Sequence, residues 1–271
     1  DLFLAGSDTS AITTEWAMAE LLRNPQTLRK VREEILQQIG TERPVKESDI
    51  DKLPYLQAVV KEVMRLHPAV PLLLPHKAQE DAEIFGFIVP KNSQVLVNAW
   101  AIERDPKYWE KPLEFLPERF INSSVDYKGR DFEYIPFGAG RRICPGMPLA
   151  IRMVNLMLAS IVQPFSWKLP KGMAPENLDM EEQFGLTLRK AIPLLAIPSL
   201  NMSSTQNAPA HDSKRLGENS GIGVGVPPVN PGGVPNVEPD DISSHNALNT
   251  DTGTDPIRNA HREAQGGGQE T

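Results

Sequence analysis

The residue best placed to do chemistry is Cys144, the only cysteine among the 271 residues of the chain. It lies in the segment Phe-Gly-Ala-Gly-Arg-Arg-Ile-Cys-Pro-Gly, residues 137–146. One thiol excludes an internal disulfide, and Gly138 and Gly140 permit a tight turn with positive φ angles before it. An apolar helix is predicted to begin shortly after the cysteine, and its N-terminus would favour a thiolate. The pattern indicates a metal ligand or a nucleophile rather than a buried free cysteine.

Three further polar motifs precede this segment. Residues 5–9, Ala-Gly-Ser-Asp-Thr, place a glycine inside a predicted helix beside a carboxylate and a hydroxyl that could relay protons. A spacing of three puts Glu62 and Arg65 on one helix face, and Arg119, in the Pro-Glu-Arg-Phe run at 117–120, could complete a charge network with them. Taken singly, each motif is better explained as a tolerated glycine, an exposed ion pair or a turn with solvated charges.

Taken together and in this order, the four motifs resemble those of the cytochrome P450 haem-thiolate monooxygenases. The pattern Phe137-x-x-Gly140-x-Arg142-x-Cys144-x-Gly146 is similar to the haem-binding signature of that family. The resemblance covers residues 1–198. The sequence of residues 152–160 and 178–182 looks like that of plant microsomal members, above all the geraniol-hydroxylase-like group. That group acts on monoterpenoids and other small apolar compounds.

The resemblance implies haem b as cofactor, with Cys144 as the axial thiolate ligand of its iron. Arg142 and His76 would pair with the propionates, and a surface histidine is the alternative for His76. Asp8 and Thr9 would be catalytic and deliver protons during oxygen activation. The full set implied in cofactor binding is Cys144, Arg142, His76, Phe137, Gly138, Gly140, Gly146, Ala5 and Gly6. The residues implied as structural are Glu62, Arg65 and Arg119.

The resemblance also implies the reaction and the partners. One oxygen atom from O2 would enter a small hydrophobic, terpenoid-like substrate, with electrons from an NADPH-dependent flavoprotein reductase and no nucleic acid as partner. The reductase would dock on the cysteine side, where Arg141, Arg142, Arg152 and Lys168 could supply positive charge. Candidate substrate contacts are Val70, Leu72, Leu73, Phe184 and Leu186. For the leucine run, plain core packing is an equal alternative.

The elements that must position these residues are mainly helical with small β-sheets. Apolar periodicity predicts a helix over 2–23, a second from Asn24-Pro25 to near Gly40, a third capped by Asp51 and ending at Leu66, and a fourth over 148–162. Residues 83–99 read as one hairpin whose turn is at 90–93, and 184–188 as a strand-like piece. Residues 105–135 are predicted to be rich in loops.

Composition divides the chain at residue 198. Residues 199–271 contain no aromatic residue, ten of the 19 glycines, and nine acidic residues against four basic ones. Such a segment buries too little apolar surface to offset its chain entropy, so we expect a disordered acidic tail after a folded domain at 1–198.

The chain begins at Asp1 in the middle of a helical pattern. We therefore expect that the amino-terminal half of the family member is missing, including an anchor to the cytosolic face of the endoplasmic reticulum membrane. The chain alone is then expected not to be a competent monooxygenase. The alternative is a catalytically silent, truncated product that acts as a binding protein through its acidic tail. A cysteine hydrolase is excluded because no His/Asp pattern accompanies the cysteine motif.

Overall fold

A computed structural model describes residues 2–200 of the chain. In this part, four long helices form the body of the protein and a one-turn helix precedes the central loops. They are α1 Leu2–Arg23, α2 Pro25–Gln38, α3 Pro54–Leu66, α4 Ala99–Ile102 and α5 Met147–Val162. The tail predicted from residue 199 lies outside the described residues apart from its first two positions.

Eight short strands pair into four antiparallel two-stranded sheets within the described residues. The pairs are β1 His76–Lys77 with β4 Gln94–Val95, β2 Ala82–Ile84 with β3 Phe87–Val89, β5 Phe165–Lys168 with β8 Ile197–Leu200, and β6 Glu182–Gln183 with β7 Arg189–Lys190. The fold is therefore mainly α with small β-sheets, as the sequence predicts. Strand β8 continues two residues past the predicted domain boundary at 198.

The core lies where α1, α2, α3 and α5 pack together. Trp16, Leu21, Ile35, Leu56 and Leu158 are fully buried there. Burial of this apolar surface is the main stabilising contribution to the fold. Helix α5 carries the cysteine loop at its N-terminus, so the core fixes the orientation of that loop.

Three of the four predicted helices, α1, α2 and α5, are confirmed to within about two residues. The predicted N-cap of α3 is wrong. Asp51 does not cap α3, because it lies within a 3-10 turn at Glu47–Lys52. Leu53 is the residue before the helix, and Pro54 opens it. Proline is favoured at this position, since its missing N–H has no acceptor in the first turn.

A hairpin is present where one was predicted across 83–99, but the predicted position of its turn, at 90–93, is wrong. Strands β2 and β3 reverse at Phe85-Gly86, whose φ angles are +51° and +81°, and residues 90–93 join this pair to the β1–β4 sheet. Two successive positive φ angles are those of a tight two-residue turn, and the glycine alone was the signal for it. Asn92 adopts the left-handed conformation that the sequence allows, with φ of +69°.

Residues 184–188 form the connection between β6 and β7, not the strand itself. We call this segment the substrate turn, after the substrate contacts that the resemblance implies for Phe184 and Leu186. Its neighbours pair on either side, with Gln183 opposite Arg189 and Glu182 opposite Lys190. Among the described residues, no helix is both long enough and apolar enough to cross a membrane.

Candidate functional site

Cys144 lies exposed on a short loop immediately before α5. Its amide donates a hydrogen bond of 2.9 Å to the carbonyl of Phe137 and closes the loop on itself. Gly138 and Gly140 have φ angles of +72° and +66°, which L side chains adopt only with strain. A Cβ atom on Gly146 would lie 3.7 Å from the Cys144 Sγ atom. The glycines thus shape a loop that leaves the thiol open to a ligand.

The side chains near this loop fit a haem. Among the described residues, no group of three His, Cys, Asp or Glu side chains is placed to hold a bare metal ion. The side chains available are instead one exposed thiol, the exposed Arg142 guanidinium and the exposed His76 imidazole. A lone thiolate suits an iron whose other ligands come from a macrocycle, and the guanidinium and imidazole N–H groups suit carboxylates at the edge of that macrocycle. Phe137 is half-buried and packs edge-on against Tyr127.

Asp8 and Thr9 lie in the first half of α1. The Thr9 hydroxyl donates to the Ala5 carbonyl at 2.6 Å, a bond within the helix. The Asp8 carboxylate accepts two hydrogen bonds from the Arg189 guanidinium, at 2.9 and 3.0 Å. A Cβ atom on Gly6 would find no neighbouring atom within 4 Å, so the space beside this helical turn is open. The structure therefore places a carboxylate, a hydroxyl and open space together.

One candidate substrate segment lies close to the cysteine loop and is hydrogen-bonded to the other. Leu73, which has a φ angle of +50°, places its Cδ1 atom 3.6 Å from where a Cβ atom on Gly138 would be. Four residues earlier, the Ala69 carbonyl accepts a hydrogen bond from the Leu188 amide at 3.0 Å. The pair of Asp8 with Arg189 then joins α1 to the end of the substrate turn. Of the predicted contacts, Val70, Leu72, Leu73 and Phe184 are half-buried and Leu186 is exposed.

The structure brings Glu62, Arg65 and Arg119 together. The first two are fully buried, and Arg65 donates to both Glu62 oxygens at 2.8 and 2.9 Å. Arg119 donates to the same carboxylate at 3.0 Å, as does the Leu116 amide at 2.9 Å. A buried ion pair is tolerated only when its remaining donors and acceptors are satisfied, and here Arg65 also reaches the Glu103 carbonyl. The network holds α3 to the loops at 103–119.

Two charged residues outside the sequence motifs, Glu103 and Arg189, contact the site residues, and Glu103 is fully buried. Burial raises the pKa of Glu103 well above its usual range, although the Ile135 amide donates to one of its oxygens. Its other oxygen has no hydrogen-bond partner among the described residues. Arg189, which holds Asp8, was also missed. Glu103 directly follows the apolar run at 99–102 but begins a charged run, so no local signal in the sequence pointed to its burial, and none pointed to Arg189.

The chain is similar to proteins of one known family over most of its length. The cytochrome P450 family model matches residues 1–195. The chain is 60% identical over 198 residues to the iridoid oxidase of Catharanthus roseus, and 58% identical over 199 residues to the geraniol 8-hydroxylase of the same plant. These matches cover 73% of this chain but only 38% and 40% of the two enzymes. The chain thus spans about two fifths of the length of these curated relatives.

The fold agrees with this match. A zebrafish cytochrome P450 solved with abiraterone superposes with a TM-score of 0.66 at 37% sequence identity. The match covers 74% of this chain and 46% of the zebrafish chain.

Proposed function

Because the chain belongs to the cytochrome P450 family, we propose that it supplies the cysteine-bearing part of a haem-thiolate monooxygenase of the plant geraniol-hydroxylase-like group. The observation that carries the proposal is the exposed Cys144 thiol on a loop shaped by Gly138 and Gly140. The reaction inserts one oxygen atom from O2 into a small hydrophobic, terpenoid-like substrate.

Haem b, when bound, supplies the activation of O2. Cys144 is the residue that would ligate its iron, and Arg142 and His76 would bind the propionates. Both side chains are exposed in the chain, so each can turn toward a carboxylate. Phe137 packs beside the thiol loop and would exclude water from it.

Asp8 and Thr9 would handle the protons of the reaction. The Thr9 hydroxyl donates its hydrogen bond to the Ala5 carbonyl and could redirect it to a better acceptor. The Asp8 carboxylate is held by Arg189 on both oxygens, so a proton passes through Asp8 only when that contact loosens. The Thr9 hydroxyl thus supplies a proton donor and the Asp8 carboxylate a proton acceptor, on adjacent residues of α1.

The substrate would lie against apolar side chains of α1, residues 70–74 and the substrate turn. Leu74 and Leu186 are exposed and Leu72 is half-buried, so a small apolar molecule would gain stabilisation by covering them. This apolar lining is the feature that supports a terpenoid-like substrate over a charged one.

Electrons would come from an NADPH-dependent flavoprotein reductase that docks on the cysteine side. Arg141 and Lys168 are exposed, while Arg152 forms a surface ion pair of 3.4 Å with Glu47. Reversing the charge of Arg141 and Arg152 is expected to weaken reductase binding and to flatten its dependence on salt. We further propose that the full-length protein resides at the cytosolic face of the endoplasmic reticulum membrane.

A hybrid enzyme tests the proposed function. The part of the Catharanthus roseus geraniol 8-hydroxylase that precedes its matched region is joined to residues 1–199 of this chain, and the product is assayed with geraniol, NADPH and reductase. We expect a product heavier by one oxygen atom.

Thr9→Ala in the hybrid is expected to divert reducing equivalents to hydrogen peroxide, because the hydroxyl that would deliver protons is removed. Glu181→Gln, at an exposed site, is the matched control. A folded, haem-loaded hybrid that oxidises no terpenoid would contradict the proposed activity.

A further inference from the structure

His67, the residue after α3, lies between two carboxylates that come from distant parts of the chain. Its Nε2 atom is 2.9 Å from Glu20 of α1, and its Nδ1 atom is 2.9 Å from Glu182 of β6. The three side chains are 6%, 3% and 13% exposed, so water contributes little to their solvation. We call these three residues the histidine bridge.

The histidine bridge must hold two protons. A carboxylate only accepts hydrogen bonds, and a neutral imidazole has a single N–H donor. Two hydrogen bonds among one imidazole and two carboxyl groups therefore require two protons shared among the three groups. The bridge then has a net charge of −1, which Arg104 balances by donating to Glu182 at 2.8 Å.

The surroundings of the ring favour this protonation. The indole of Trp16 stacks on His67 with centroids 3.8 Å apart and planes 1° from parallel, a geometry that attracts a cation to the ring face. The ammonium of Lys190 of β7, 5.0 Å from the Trp16 ring centre, opposes a cation on His67, but it lies farther away than the two carboxylates at 2.9 Å that favour one. Burial pushes the pKa of Glu182 upward, but the hydrogen bond from His67 and the charge of Arg104 outweigh it and leave that pKa lowered.

The bridge anchors the start of the substrate turn. Glu182 lies two residues before Phe184 and also accepts from the Trp100 indole at 2.9 Å. The other end of the turn is held by the Trp16 indole, which donates to the Leu188 carbonyl at 3.1 Å. One stacked pair, Trp16 and His67, thus contacts both ends of the segment.

We propose that His67, by donating to Glu20 and Glu182 together, is a positioning residue that fixes the substrate turn against α1. That this turn contacts substrate rests on the proposed function, whereas its attachment through His67 does not.

Amide hydrogen exchange on the full chain tests the attachment. His67→Gln cannot donate to both carboxylates, so exchange of the Leu188 and Ala191 amides is expected to rise about tenfold while α2 amides stay protected. These two amides donate to the Ala69 and Glu181 carbonyls in the native protein. Glu182→Gln removes one charge with little change of shape and is expected to act on the same amides. Glu181→Gln, next to it but exposed, is the control and should change nothing.

Nitrogen NMR of the His67 ring supplies the signature that a merely structural role would not produce. We expect both ring nitrogens to carry protons at neutral pH in the native chain. A ring with one bare nitrogen, or unchanged exchange at Leu188 and Ala191 in both variants, would overturn the proposal. Should His67→Gln unfold the chain, Glu182→Gln and the ring spectrum decide the question. Neither readout needs haem, so a failed monooxygenase assay leaves both intact.

Discussion

Glu103 is a fully buried carboxyl group with one oxygen hydrogen-bonded to the Ile135 amide and the other without a partner among the described residues. Burial is the main reason why its pKa is raised, and Arg104 and Arg65 offset only part of it. The folded chain therefore prefers the protonated form more strongly than the unfolded chain does.

This difference predicts a pH dependence of stability. As the pH rises above about 4.3, the unfolded chain releases the Glu103 proton first, so Glu103 lowers the free energy of unfolding progressively, by up to about 1.4 kcal/mol per pH unit. Glu103→Gln lacks this titration. We expect the difference in unfolding free energy between Glu103→Gln and the parent chain, measured by urea titration, to shift in favour of Glu103→Gln as the pH rises above about 4.3. Parallel pH profiles for the two chains would contradict the assignment.

Helix α3 is attached to the loops that follow it by a buried network of charged side chains. Glu62 compensates two guanidinium groups, Arg65 and Arg119, and neither Glu62 nor Arg65 is exposed. Glu62→Gln leaves both cations underpaired and is expected to cost about 3–5 kcal/mol of unfolding free energy.

The matched control for that change is Glu118→Gln, one residue before Arg119. Glu118 pairs with Lys30 at 2.7 Å, but both side chains are about half exposed. Its loss is expected to cost at most about 1 kcal/mol in the same urea titration. Equal costs for the two substitutions would show that the buried network does not hold α3.

The β2–β3 hairpin has a turn residue that fits its conformation poorly. Phe85 is 97% exposed and has a φ angle of +51°, followed by Gly86 at +81°. Asparagine before glycine is strongly preferred in such a turn. Phe85→Asn is expected to raise the unfolding free energy by up to about 1 kcal/mol. Phe132→Asn, at another exposed phenylalanine, should give no gain, and equal gains at both sites would refute the turn argument.

The helices could be predicted because their signals are local. Apolar spacing along α1, Pro25 at the start of α2, and the apolar run of α5 each specify a helix without tertiary contacts. The strands are two to four residues long, too short for alternation to set their register. The turn at Phe85-Gly86 was therefore placed wrongly.

The same distinction applies to the site. The conformation of the cysteine loop was predictable because Cys144, the loop glycines and the following helix lie within a few residues of one another. The pair of Asp8 with Arg189 joins residues 181 positions apart, and His67 lies 115 positions from Glu182. Charge pairing at such separations is set by packing of the whole fold, which one sequence does not reveal.

One connected region of the molecule carries the candidate site residues. It consists of α1, residues 69–77, the substrate turn and the cysteine loop. The links are Leu73 to the loop, Ala69 to Leu188, and Asp8 to Arg189. Exposed apolar side chains lie on these elements, with Phe3 94% and Leu74 62% exposed. A haem and an apolar substrate would cover surface of this kind, so their binding is expected to stabilise the chain.

The proposed function depends on Cys144 being the thiolate ligand of haem. The carbon-monoxide difference spectrum of the reduced, haem-loaded hybrid measures this ligation, with Cys144→Ser compared with the parent and with the exposed-site control Glu181→Gln. We predict that the parent and the control show the absorption band of a thiolate-ligated haem and that Cys144→Ser loses it while still folding. The same thiolate band in Cys144→Ser would show that Cys144 is not the ligand.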